Sequence, residues 1–195
     1  WFRGQVKGLD AVCYVFAQTL GAIFGLYLLA LLGGAWVQSV TLGITLPGEG
    51  YSVMNAFIAE LIITFLLMFL ILYCVSDQRF AKKTPYLAGA LVAFLVFVEA
   101  PISGTSLNPA RSFAPALLAG NFSDHWLYWV APPLGALLAV FLFAALFPQQ
   151  QKGCAKLYHT EKYRCIFTQC SYAFIEAGMV LLKEGDPAHI AYVIE

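Results

Sequence analysis

The stretch Ser103-Gly104-Thr105-Ser106-Leu107-Asn108-Pro109-Ala110-Arg111-Ser112-Phe113 decides how the chain is read, because it sets the guanidinium of Arg111 between two strongly apolar segments. A charge at membrane depth is expensive unless it faces a water-filled cavity or a partner, so its ordinary meaning is a polar pathway. Asn108 followed by Pro109 predicts a helix start. An Asn side chain accepts from the first free N–H groups, and proline at the first helical position sacrifices no bond. The helix then begins inside the apolar layer. Residues 109–119 rise roughly 16 Å at about 1.5 Å each, near half of a hydrocarbon core about 30 Å thick, which suits a re-entrant half-helix rather than a span. A bare Asn-Pro-Ala triplet is no more than a loop helix cap; the full stretch in this apolar setting points to a channel.

Composition agrees. Aliphatic, aromatic and cysteine residues make up 61% of the 195 residues against 11% charged, a balance expected of a polytopic, all-α membrane protein. Net charge is zero and no basic cluster exists, which argues against nucleic-acid binding. The five cysteines (Cys13, Cys74, Cys154, Cys165, Cys170) have no metal-ligand spacing, and two lie within apolar spans, so they read as free thiols or small packing residues. His125, His159 and His189 are scattered at surface-like positions, and no nucleophile stands at motif spacing from a base. An enzyme, a metal site and a cofactor are therefore not expected.

Outward from the central stretch, four spans are predicted: about Asp10 to Leu32, Val53 to Val75, Pro85 to Ala100 and Trp126 to Phe147. Ala17, Gly21 and Gly25 in the first span, and Gly89 and Ala93 in the third, suit close helix packing. Gln18, alone among apolar residues, is expected to face the bundle interior as loop support. Glu60 reads either as an ion or proton relay, or as an acceptor for the backbone N–H groups of a buried non-helical loop; a relay usually needs several ionisable groups in line. Glu99 falls beside the outer vestibule or against the loop, with no role assigned. Arg79, Lys82 and Lys83 make the loop after the second span cytoplasmic by the positive-inside rule. Arg3 and Lys7 fall on the same side, the loop Asn121 to His125 lies outside, and the tail with Lys152, Lys156, Lys162 and Arg164 lies inside.

Asn108-Pro109-Ala110-Arg111 in this setting resembles the second signature loop of the aquaporin, or major intrinsic protein, family. The resemblance covers residues 1–147. It includes Tyr14 to Gln18 with Gly21-Ala22, Glu60 and Thr64, Ser103 to Ser112, and His125 to Trp129 before Pro132 and Gly135. It implies an aquaporin-like bundle of four spans plus one half-helix. Family members repeat a three-span unit in inverted orientation, so the first two spans and first half-helix are missing from this sequence, and an isolated fragment is not expected to form the complete pore. Under the resemblance Glu60 holds the re-entrant loop. Pro101 to Leu107 runs as extended backbone whose carbonyls form an acceptor ladder along the pore.

The implied pore lining is Gly104, Thr105, Ser106, Asn108, Pro109, Ala110, Arg111 and Val96. Aligned on Asn108, the outer constriction takes Val96, Thr105 and Arg111. Selectivity by pore diameter, lining donors and fixed positive charge is the general rule for aquaporin-type pores and comes with the resemblance. It implies passage of water and small neutral solutes such as glycerol, exclusion of ions and protons, and a homotetramer in the lipid bilayer. Ser112, Ala116, Tyr128 and Trp129 are similar to the water-channel branch. Val96 departs from strict water channels, which favour His there, and makes the site wider and less polar.

From Pro148 the sequence becomes mixed polar. Residues 148–171 read as a linker with a short helix. Residues 172–195 read as short strands separated by Gly178 and Glu184-Gly185-Asp186-Pro187. The run Gly178 to Ala188, ending in Tyr192 to Glu195, resembles the opening strands of a cyclic-nucleotide-binding β-roll, cut before its phosphate-binding cassette. The alternatives are an unrelated β-rich module or a tail that stays disordered. A channel regulated by a cyclic nucleotide is the second functional reading. Asn121-Phe122-Ser123 fits a glycosylation sequon by chance alone.

Overall fold

The computed structural model describes residues 8–148. The linker, the strands and the nucleotide-binding resemblance of the tail lie outside the described residues. Those described form helices without strands: α1 (Gly8–Ser39), a 3-10 turn (Thr41–Gly43), α2 (Val53–Ser76), the short α3 (Gln78–Ala81), α4 (Thr84–Ser103), α5 (Pro109–Ala119) and α6 (Trp126–Leu146). α1, α2, α4 and α6 are long and apolar enough to cross a membrane. At about 1.5 Å per residue they reach about 30 Å or more, the thickness of the hydrocarbon layer. α5 has 11 residues and does not.

Local sequence sets the boundaries. The Ser52 hydroxyl accepts from the Asn55 N–H at 3.1 Å and caps α2. Pro85 opens α4, and Gly104 ends it in the left-handed region, where a glycine carries no Cβ penalty. α4 overruns its expected end at Ala100 because Pro101 falls in its last turn. There a missing N–H costs one bond rather than breaking a helix. α1 continues to Ser39, bent at Gly34, which is non-helical at φ 53 and ψ −134.

α2 and α6 form the central pair, with α4 against α2 and α1 against α5. A Cβ on Gly135 would stand 2.3 Å from the Leu61 carbonyl oxygen, so α6 crosses α2 at a distance only glycine permits. Ala56, Leu127 and Tyr128 form the buried core on this seam, flanked by Val53 and Phe57. Phe69 and Phe143 extend it with ring centroids 5.9 Å apart. Elsewhere apolar side chains face outward, Phe97 at 85% exposure among them, as expected where lipid is the solvent. The small residues expected to pack tightly do not do so within this chain: a Cβ at Gly21, Gly25 or Gly89 would meet nothing within 4 Å. Cys13 and Cys74 are free, the first exposed and the second buried.

Candidate functional site

The candidate site is the turn between α4 and α5 with the groups that hold it. Asn108 is extended, at φ −154 and ψ 122, and its Oδ1 accepts from the Ala110 N–H at 3.0 Å. This caps α5 and leaves the Nδ2 donors without a partner among the described residues. The run expected to extend from Pro101 is shorter and more tightly wound. Pro101 to Ser103 complete α4, and Gly104, Thr105 and Leu107 take φ values of 84, 50 and 58. Left-handed residues turn the chain back within a few positions, where an extended run would carry it on. Two carbonyls of the anticipated ladder are spent: Ile102 O accepts from the Gly48 N–H at 2.9 Å, and Ser103 O from the Tyr128 hydroxyl at 2.7 Å. No hydrogen bond falls on the carbonyls of Gly104 to Leu107 among the described residues.

Glu60 is fully buried beneath this turn. Its Oε1 accepts from the Ser103 hydroxyl at 2.5 Å and the Ser106 N–H at 2.6 Å, and its Oε2 from the Leu107 N–H at 3.0 Å. Backbone donors that the turn leaves without helix partners are thus satisfied by one acceptor-only side chain. This is the loop-holding geometry rather than a relay in line. Gln18, expected inside the bundle, is instead exposed on α1. α1 meets the rest of the chain chiefly through α5 and the 3-10 turn, and no bond joins Gln18 to the loop among the described residues.

Arg111 projects from the first turn of α5, exposed, with Nη1 donating to the Gly43 carbonyl at 2.6 Å. Val96, on α4, is also exposed. Thr105, Ser106 and Ala110, expected along the path, have buried side chains. Ser106 lies in a hydroxyl chain: Thr45 donates to Ser112 at 2.6 Å, Ser112 and Ser106 share a bond of 2.6 Å, and Ser106 donates to Asn108 O at 3.0 Å. What this stretch presents outward is therefore the Asn108 carboxamide, the Arg111 guanidinium and backbone carbonyls. Gly43, Thr45 and Ser103 complete the site; Ser103 stood in the stretch read from the sequence without an assigned role, whereas Gly43 and Thr45 escaped sequence reasoning. Gly43 acts through a backbone oxygen, which has no sequence signature, and the Thr45 contact spans 67 positions.

His125 is buried, not surface-like, and packs on the rings of Phe113, Phe122 and Tyr128. Burial pushes its imidazole below the ordinary value. In the loop after α2, Asp77 caps α3 and pairs with Arg79 at 2.8 Å. The hydrogen bonds from Arg79 hold the Asp77 carboxyl below the usual carboxylate range. No group of three or more His, Cys, Asp or Glu side chains arranged for a metal occurs among the described residues.

Comparison with known proteins bears on this geometry. The sequence profile described as Major intrinsic protein matches residues 1–143. "Aquaporin TIP4-1" of Zea mays is 38% identical over 151 residues, covering 76% of this chain and 58% of the relative. "Aquaporin TIP2-1" of Arabidopsis thaliana is 34% identical, with 74% and 57% covered. "Probable aquaporin NIP7-1" of Arabidopsis thaliana is 37% identical, with 68% and 47% covered. The chain thus spans little more than half the length of the first two and less than half of the third. Among solved structures, the aquaglyceroporin from Plasmodium falciparum superposes with a TM-score of 0.63 at 23% identity, covering 70% of this chain and 64% of that one. At that identity the likeness is one of fold.

Proposed function

The chain belongs to the major intrinsic protein family, and from that premise we propose that the natural protein is a passive transmembrane channel for water, open also to small neutral solutes such as glycerol. The observation that carries this reading is the juxtaposition of free Asn108 Nδ2 donors, a tethered Arg111 and unbonded carbonyls at Gly104 to Leu107. A single file of water exchanges hydrogen bonds with such a row and needs no covalent chemistry. The α5 N-terminus adds a partial positive charge of about half a unit, and with Arg111 it opposes cations and hydrated protons. In this reading Val96, Thr105 and Arg111 form the outer constriction, Thr105 through its backbone, and residues 1–147 are the channel domain. The exposed faces of α1 and α4 meet other parts of a homotetramer of separate pores.

Stopped-flow light scattering on proteoliposomes of the full-length natural protein tests the proposal. Osmotic shrinkage should be much faster than in protein-free vesicles, with no proton leak by an entrapped pH dye. Shrinkage at the protein-free rate defeats it. Isosmotic glycerol entry in the same vesicles decides between a strict water channel and a broader one. The run Gly178 to Ala188 supports a second reading, in which residues 172–195 begin a cytoplasmic cyclic-nucleotide-binding domain that biases the channel. Titration of the full-length protein with cyclic AMP and cyclic GMP should then reveal saturable binding and altered osmotic flux; absence of binding removes this reading.

A further inference from the structure

Beneath the turn lies a second carboxyl that the channel reading does not use. Glu99, one helical turn before Ser103 on α4, is 4% exposed, and neither of its carboxyl oxygens completes a hydrogen bond. The polar groups beside it are the hydroxyls of Ser103 and Thr105 and the Thr105 backbone, and the charged group acting on it is Glu60 from α2. Tyr128 faces the same cluster from α6, and Arg111 of α5 acts on that Tyr128. The donors nearby are largely spent: Ser103 and the Ser106 and Leu107 N–H groups all point to Glu60, and Tyr128 donates to Ser103 O. The Thr105 hydroxyl is buried and unpaired, on a β-branched residue held at φ 50. Such a conformation is uncommon for that side chain and persists only where its surroundings fix it.

A second acceptor-only carboxylate here would have only the Thr105 hydroxyl and N–H to draw on, without the further donors that Glu60 has taken, and two adjacent buried carboxyls do not both ionise. A carboxylic acid, by contrast, carries one O–H donor besides its acceptor oxygens. We propose that Glu99 is a positioning residue held as the neutral acid, giving its proton to the Thr105 hydroxyl and so fixing the left-handed turn that carries Thr105 and Ser106 onto Glu60. Glu60 and Glu99 then divide the work, one as acceptor and the other as donor. Alkaline ionisation of Glu99 removes that donor, places a like charge beside Glu60 and releases the turn, so solute passage falls as pH rises.

The flux consequence rests on the channel reading; the protonation state does not, and infrared spectroscopy reads it separately. Difference spectra of the full-length protein in liposomes, between neutral and alkaline buffer, should show loss of a protonated-carboxyl C=O band in wild type. The band should be absent in Glu99→Gln and retained in Glu60→Gln. Stopped-flow osmotic permeability should drop severalfold at alkaline pH in wild type, stay flat and near wild-type neutral values in Glu99→Gln, and be low at every pH in Glu99→Ala. A wild type without the band, or a band that survives Glu99→Gln, overturns the neutral acid. Wild-type flux independent of pH, or Glu99→Gln as impaired as Glu99→Ala, overturns the positioning role. A wild type that passes no water at any pH defeats the channel reading alone, and the band still decides the state of Glu99.

Discussion

Glu60 shows how one residue substitutes for secondary structure. The turn after α4 buries N–H groups of Ser106 and Leu107 that no helix or strand can pair, and the Glu60 carboxyl takes both. A buried donor left unpaired costs about 1–3 kcal/mol, so Glu60→Ala should lose about 2–6 kcal/mol of stability from these two together. Thermal unfolding in detergent would register this as a clear drop in midpoint, with Glu60→Gln between the two; an unchanged midpoint would refute the account. His125 offers a pH test at the same scale. Its folded-state value is depressed by burial, so below about pH 6.5 the unfolded chain binds a proton that the folded chain resists. Stability from this site is complete above that pH and is lost as pH falls through the folded value. His125→Phe should flatten the acidic side of a midpoint-versus-pH curve, and a curve identical to wild type would contradict the assignment.

Element boundaries were legible where a local rule sufficed. Asn108-Pro109 marks the start of α5, and apolar length marks the four spans, because capping and hydrophobic thickness act within a few residues or along one helix. The end of α4 was less legible, since Pro101 terminates or merely thins a helix depending on what donates to its last carbonyls. Here the Gly48 N–H and Tyr128 hydroxyl do so, from elements distant in sequence. Gln18 is exposed among the described residues: polarity within an apolar helix says that a partner is needed, not which face or which chain supplies it. Glycines in spans divide in the same way. Gly135 is compressed against Leu61 and Gly89 is open, yet the sequence does not distinguish them. Gly135→Ala should therefore cost about 1–3 kcal/mol by forcing α2 and α6 apart, whereas Gly89→Ala should be neutral or stabilising by up to about 1 kcal/mol. Paired unfolding midpoints in one detergent check this, and equal effects of the two substitutions would be inconsistent with the α2–α6 crossing.

For the whole molecule, helix order dictates a topology. With α3 and the Arg79 to Lys83 loop inside, as the positive-inside rule predicts, α4 rises towards the outer side, the turn after it sets Asn108 within the layer, α5 climbs from there to the outer face, and α6 crosses back. Single cysteines at Lys83 and Ser123, in a background lacking reactive thiols, should be labelled by an impermeant maleimide from opposite faces of sealed vesicles. Labelling of both from one face would invalidate the re-entrant assignment. The tether of Arg111 to the Gly43 carbonyl joins the α1–α2 connection to α5 across this arrangement. Its acceptor belongs to the main chain, so no change of side chain can delete it. Only a distortion of the backbone can, and Gly43 sits at φ 70, where most replacements are strained. The guanidinium is thereby insured against point mutation in all but one position of its partner turn, and drift elsewhere in that turn can alter its surroundings while leaving the anchor in place.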